Sequence, residues 1–193
     1  MSVQISNPAA RGMAFLGVFK SLREELGPER LAAYLRGWGP ELAELSALRL
    51  TRTEWYGYPA FAQLLAGAER DLGDGSGALC RRLGGAAAKR DLGGAFAVLK
   101  LLASPQHLIG AAERVWPRYY RDAGRMEAVS TRPTHTVLRI HEFPAMVPEH
   151  CRMMEGWMIA AMGVLGATVS PGARETTCMK HGPYHEFTCT WTR

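Results

Sequence analysis

Apolar positions recur every three to four residues through the first two thirds of the chain and alternate one-in-two over much of the last third, the periods of helix and strand. Asn7-Pro8 reads as a cap and first turn. Met13, Phe15, Val18, Phe19 and Leu22 carry an apolar face from there to Gly27-Pro28, predicting a helix over 8–26. A shorter helix follows through Leu31, Tyr34 and Leu35, then a third through Leu42 and Leu45. Pro59 opens another, with Phe61, Leu64, Leu65 and Ala68 on one face and Trp55, Tyr56 and Tyr58 clustered before it. Beyond the turn at Gly73–Gly77, Leu79, Cys80 and Leu83 predict a helix that Gly84, Gly85, Gly93 and Gly94 interrupt. The apolar run 95–102 predicts a short buried helix. Ser104-Pro105 then caps one reaching Trp116, Tyr119 and Tyr120, where Pro117 kinks its end.

From Gly124 the period shifts. The runs 126–133 and 135–143 predict two antiparallel strands, with Thr136, Leu138 and Ile140 facing inward and Val137, Arg139 and His141 outward. Pro148-Glu149 opens a long helix carrying two adjoining apolar stripes, one through Cys151, Met154 and Met158, the other through Met153, Trp157 and Ala160. That width needs cover on two sides, from the sheet and from either other helices or a partner subunit. Gly156 and Gly163 suggest close approach of a backbone or a bound molecule. Two short strands, 167–170 and 175–179, separate at Pro171-Gly172, and a last one, 185–192, points His185, Phe187, Cys189 and Trp191 to the core. The expected fold is α+β: a helical N-terminal two thirds (1–123) packed on a small antiparallel sheet (124–193), with a long helix inserted between strand pairs. The whole of 1–193 reads as one domain.

Composition narrows the function classes. Hydrophobic residues make up 47% and charged residues 21% of the 193, a globular balance. The net charge of +5 is spread without a basic run longer than two, which argues against nucleic acid as a partner. No apolar run approaches the roughly 20 residues of a membrane span. The N-terminus lacks a leader pattern, so a cytoplasmic protein is expected. Cys80, Cys151, Cys178 and Cys189 then read as reduced thiols.

The chemistry gathers at the end of the chain. Cys178 and His185 flank a short connection, and Cys151 on the long helix could reach them, so zinc held by Cys151, Cys178 and His185, with His181, Glu175 or His150 as a fourth ligand, is the metal reading; without a Cys-x-x-Cys anchor, buried thiols beside a core histidine are preferred to it. Cys189 lies four strand residues from His185, roughly 13 Å, too far to share the ion. A Cys–His nucleophile lacks an elbow or an anion-binding loop, and Gly73-x-Gly75-x-Gly77 lacks the lysine of a phosphate loop, so a non-catalytic reading is favoured over an enzyme. Trp116, Tyr120, Met154, Trp157 and Met158 are the candidate lining of an apolar ligand pocket between sheet and helices.

The segments WPRYYRDAGRMEAV, HCRMMEGWMIAAMGVLGA and ETTCMKHGPYHEFTCTW together resemble the 4-vinyl reductase domain and the haem nitric-oxide-binding-like superfamily. The layout is also similar to a bacterial paralogous family of about this length that shares the Tyr58-Pro59 helix start. The resemblance implies a ligand-binding sensor module, often joined to signalling proteins and similar in structure to TRAPP tethering subunits. Zinc held by cysteines and a glutamate in some aromatic-sensing members matches Cys151 and Cys178 here, with His185 where a cysteine is expected. The haem-binding branch carries a proximal histidine and a Tyr-x-Ser-x-Arg motif. This chain lacks that pattern, so haem is not expected. The leading expectation is a regulatory domain for a small apolar molecule. A protein-interaction module forming a homodimer or working through a separate signalling partner is the alternative, and an enzyme or accessory factor of tetrapyrrole or vinyl-group metabolism the third.

Overall fold

The computed structural model of the chain describes residues 7–38, 50–93 and 104–192. The predicted helices through Leu42 and over 95–102 lie outside those residues. The α+β layout is as expected, with a second small sheet that the sequence pattern did not announce.

That sheet begins where a helix was expected. Ala9–Arg11 is a strand (β1), and the helix α1 starts only at Gly12 and runs to Leu26. The Asn7-Pro8 cap gives way because β1 pairs on both edges, with β2 (Trp55–Gly57) and β3 (Tyr120–Arg121). The carbonyl of Pro8 accepts the N–H of Tyr58 at 2.9 Å. These partners lie tens of residues away in sequence, so local capping rules do not see them. Helix α2 (Pro28–Arg36) and helix α3 (Tyr58–Leu72) form where Pro28 and Pro59 start them.

Helix α4 (Ala78–Gly93) runs unbroken through Gly84 and Gly85. The reason is the neighbour it packs on, helix α7 (Pro148–Val164). A Cβ on Gly84 would stand 1.9 Å from the carbonyl oxygen of Met153, and one on Gly156 would stand 1.9 Å from that of Arg81. The two backbones touch, and the glycines are what allow it. Helix α4 is thus the second cover that α7 required. The predicted single helix after Ser104 is two, α5 (Pro105–Gly110) and α6 (Ala112–Tyr119), with Pro117 inside the last turns of α6.

The main sheet has the order β4-β5-β7-β6, built from β4 (Arg125–Arg132), β5 (His135–His141), β6 (Thr168–Thr177) and β7 (Tyr184–Thr192), all antiparallel. Helix α7 connects β5 to β6, as the pattern predicted. Strands β5 and β7 alternate as expected, burying Thr136, Leu138 and Ile140 on one and His185, Phe187, Cys189 and Trp191 on the other. The two short strands expected around Pro171 are one edge strand. Pro171 sits within a register shift between Val169 and Ala173, so the ladder resumes beyond it.

Candidate functional site

Helix α3, helix α6, strand β3 and the start of helix α7 meet at one place, the joint between the helical part and the main sheet. At its centre is His150, fully buried in the first turn of α7. The ring of Trp116 lies nearly parallel to it with centroids 6.2 Å apart, Tyr120 is at 4.9 Å, and Phe61 stands edge-on at 5.5 Å. Tyr58 packs on Phe143 at 4.7 Å and Trp116 on Tyr120 at 4.4 Å. Sequence places each for its own reason. Tyr120 is on the inner face of β3 opposite Ala10, Tyr58 opens α3, and the Trp116 indole N–H is held by the carbonyl of Ala123 at 3.0 Å.

The polar accounting at His150 is incomplete. Its Nδ1 is 3.0 Å from the Tyr58 hydroxyl, while Nε2 has no hydrogen-bond partner among the described residues. Among the described residues it is the buried histidine with an unpaired ring nitrogen. His107 is exposed in a capping box with Ser104, and His135 and His141 bond Thr190 and Glu127. Burial, and secondarily the neighbouring His185, pushes its pKa down to about 3, so the ring is neutral at physiological pH. A buried polar atom without a partner costs about 1–3 kcal/mol, and such an atom is a feature to explain.

The five residues expected to line a pocket divide. Trp116 and Tyr120 stand together against His150. Met154 is half-buried against the core and Met158 is within it. Trp157 belongs to the seam with α4, its indole N–H 3.4 Å from the Asp91 carboxylate. Ring contacts close the joint itself. An open cavity of about 570 Å³ lies elsewhere, between α2 and α3, lined by Tyr34, Trp38 and Gly67 and rimmed by Arg70, whose charge is spent on Asp71. The sequence pattern did not mark His150 as a pocket residue; a histidine on the apolar side of α7's first turn was the available signal.

The expected metal site also rearranges. Cys151, Glu175 and His185 bring their ligand atoms within 4.8 Å of one another. Cys178, in the turn after β6, is not in this group, and the carboxylate of Glu175 takes the place foreseen for it. The Cys151 sulfur is 3.5 Å and a Glu175 oxygen 2.9 Å from Nδ1 of His185. On the ring's other side Nε2 is 3.3 Å from the carbonyl of Phe143. A carbonyl only accepts, so Nε2 carries a proton. Nδ1 then faces both a carboxylate and the Cys151 thiol, a site that an S–H, a second proton or a cation can satisfy. Burial pushes the Glu175 carboxyl up, but bonds from His185 and Cys151 outweigh it and its pKa is lowered. Burial, reinforced by Glu175, pushes the Cys151 thiol well above its ordinary value. Unless a cation binds beside it, this thiol keeps its proton.

No protein-family model matches the chain, and no curated protein matches it. Its fold does match solved structures. The H-NOX protein of S. oneidensis in the Fe(II)NO ligation state superposes with a TM-score of 0.71 at 11% identity, over 95% of this chain and 99% of that one. The Fe(II) unliganded H-NOX protein of K. algicida gives 0.70 at 10%, over 95% and 97%. An oxygen-binding H-NOX domain related to soluble guanylate cyclases, in its oxygen complex, gives 0.67 at 11%, over 95% of each. The fold is that of the haem-NO-binding domains. The expectation that set haem aside, and left zinc as the one metal considered, is corrected by these neighbours. The metal named in them is Fe(II), and another is a study of haem distortion within the same family; nothing in them points to zinc. A missing sequence motif was too narrow a ground, because at such low identity the fold persists while its motifs do not.

Proposed function

We propose that this chain is a small-molecule-sensing domain that takes its ligand at the joint, against His150 and beside the packed rings of Trp116 and Tyr120. The observation that carries the reading is the unpaired Nε2 of His150, a polar group kept at a cost in an aromatic nest where any apolar side chain would pack more stably. The nest lies where helical and strand parts meet, so a ligand parting its rings would shift one against the other. Met158 and Met154, farther along α7, extend the adaptable apolar wall.

Haem is a second candidate: the nest offers it aromatic walls and one neutral imidazole donor, in a tautomer other than the one that the hydrogen bonds of Tyr58 favour. To ligate iron, His150 must hold its proton on Nδ1, directed at the Tyr58 oxygen, leaving the Nε2 lone pair free. A bound haem supplies an iron with a position open to a diatomic gas. Trp116 and Tyr120 exclude water on either side, and the Trp116 bond to Ala123 fixes how far that ring can turn. Titration with haemin under reducing conditions, followed by the Soret band, and with neutral aromatic molecules, followed by tryptophan fluorescence, tests the reading. Saturable binding that His150→Ala abolishes is expected. Absence of binding in both titrations would sink it.

We further read Cys151, Glu175 and His185 as ligands of one metal ion, with Cys178 outside the set. The carboxylate facing a ring nitrogen favours this, as does the bond from the far nitrogen to a backbone carbonyl, which orients the ring as it commonly does in ligating histidines. Elemental analysis of protein purified without chelator should find a metal at one per chain. Metal-free protein with a doubly protonated His185 ring by nitrogen NMR would show that the proton alone suffices.

A further inference from the structure

The hydrogen bonds around Tyr58 determine what kind of ligand the nest takes. This step rests on the small-molecule reading above. The backbone N–H of Val147 donates to the Tyr58 hydroxyl oxygen at 3.3 Å, and that hydroxyl is 3.0 Å from His150 Nδ1. Two arrangements are available to a neutral ring. In the first, the oxygen accepts from Val147 and the hydroxyl donates its own proton to Nδ1, so the ring proton is on Nε2. In the second, Nδ1–H donates to the same oxygen, which then accepts twice. The first leaves one group unsatisfied, the N–H at Nε2. The second leaves two, the hydroxyl proton of Tyr58 and the lone pair of Nε2. Each such group in a buried setting is costly, so the first arrangement wins in the free protein.

We infer that the ligand of this site is a neutral, flat, apolar molecule that presents an acceptor oxygen of the carbonyl class to the Nε2–H of His150. The walls agree. Phe61, Trp116 and Tyr120 turn aromatic rings to the imidazole, and an aromatic face is only a weak acceptor for an N–H. Among the described residues of the nest there is no Lys or Arg, so an anionic group placed against His150 would lack a counter-charge there, at a high desolvation cost. A hydrocarbon of the same shape would fill the space and leave the N–H unsatisfied.

Acetophenone and α-methylstyrene are matched in shape and differ in offering C=O or C=CH2, which makes them the probes. Both are titrated into the intact chain while tryptophan fluorescence and the nitrogen and proton resonances of the His150 ring are followed. The free protein should show its ring proton on Nε2, acetophenone should bind about tenfold more tightly than α-methylstyrene, and only acetophenone should move the Nε2–H resonance downfield. Tyr58→Phe, which removes the donor to Nδ1, should bring the two probes to near parity. A ring proton found on Nδ1, or equal affinities in the native chain, overturns the inference while leaving the sensing site standing. Binding of neither probe up to millimolar concentration, together with no haem uptake, overturns both. The tautomer reads out on native protein, so the inference stays exposed even if Tyr58→Phe does not fold.

Discussion

His150 links stability to function at the scale of a single residue. Its pKa is about 3 in the fold against an ordinary 6.5. The unfolded chain therefore binds a proton that the folded one refuses over that window. Stability from this group is whole above 6.5 and is lost as pH falls from there towards 3, at up to about 1.4 kcal/mol per pH unit. Urea midpoints at pH 7 and pH 5 should show the decline. His150→Phe, an apolar ring in the same nest, should flatten it, keep stability at pH 7 within about 1 kcal/mol because an unsatisfied group is removed, and lose the preference for acetophenone. The residue types of the nest were legible in sequence: Trp116 and Tyr120 stand out as an aromatic pair before the strands. His150 was not, because its meaning depends on Tyr58, 92 positions away.

Between elements, backbone contact decides more than propensity does. Gly156 lies inside α7, where alanine would ordinarily improve a helix by about 1 kcal/mol. Here its Cβ would overlap the Arg81 carbonyl, so Gly156→Ala should destabilise instead, by about 2–3 kcal/mol or more, as the two helices are forced apart. A raised melting temperature in that variant would show that the helices slide freely. The start of α4 makes a similar point. Ser76 Oγ accepts the N–H of Ala78 at 3.3 Å, and Glu69, buried on α3, accepts the backbone N–H of Gly77 at 2.9 Å and of Cys80 at 3.0 Å. Glu69→Ala should cost about 2–3 kcal/mol by freeing both donors in a buried place, measurable as a lowered urea midpoint. Helix α4 was recognisable from Leu79, Cys80 and Leu83. Its continuity through Gly84 and Gly85 was not, since glycine reads as a break until the facing glycine on α7 is known.

For the molecule as a whole, the joint sets what ligand binding should do. The nest draws on α3, α6, β3 and α7, so occupancy ties the two parts together. At about a hundred times its dissociation constant, a ligand that binds only the folded form adds about 2.7 kcal/mol. For a chain of this size that raises the melting midpoint by roughly 5–10 °C, which calorimetry with and without acetophenone would record. Among the described residues no helix is long and apolar enough to cross a membrane. The resemblance to haem-NO-binding domains was visible in three loose segments, and the fold agrees with it. Haem was set aside for want of a short motif, and the likeness of the fold to H-NOX structures removes that ground.

By itself the sequence determined what depends on near neighbours: the alternation that puts Leu138, Ile140, Phe187 and Trp191 on one side of a sheet, the proline-started helices at Pro59 and Pro148, and the placing of α7 between two strand pairs. Those follow from spacing of 2 or 3.6 residues, which a few turns of chain suffice to express. Only the tertiary structure decided the rest. Strand β1 exists because β2 and β3 flank it, Glu175 rather than Cys178 faces His185, and His150 is left with an unpaired nitrogen among rings from four elements. Each of these is a closeness between residues far apart in sequence, set by packing and hydrogen-bond accounting across the whole fold.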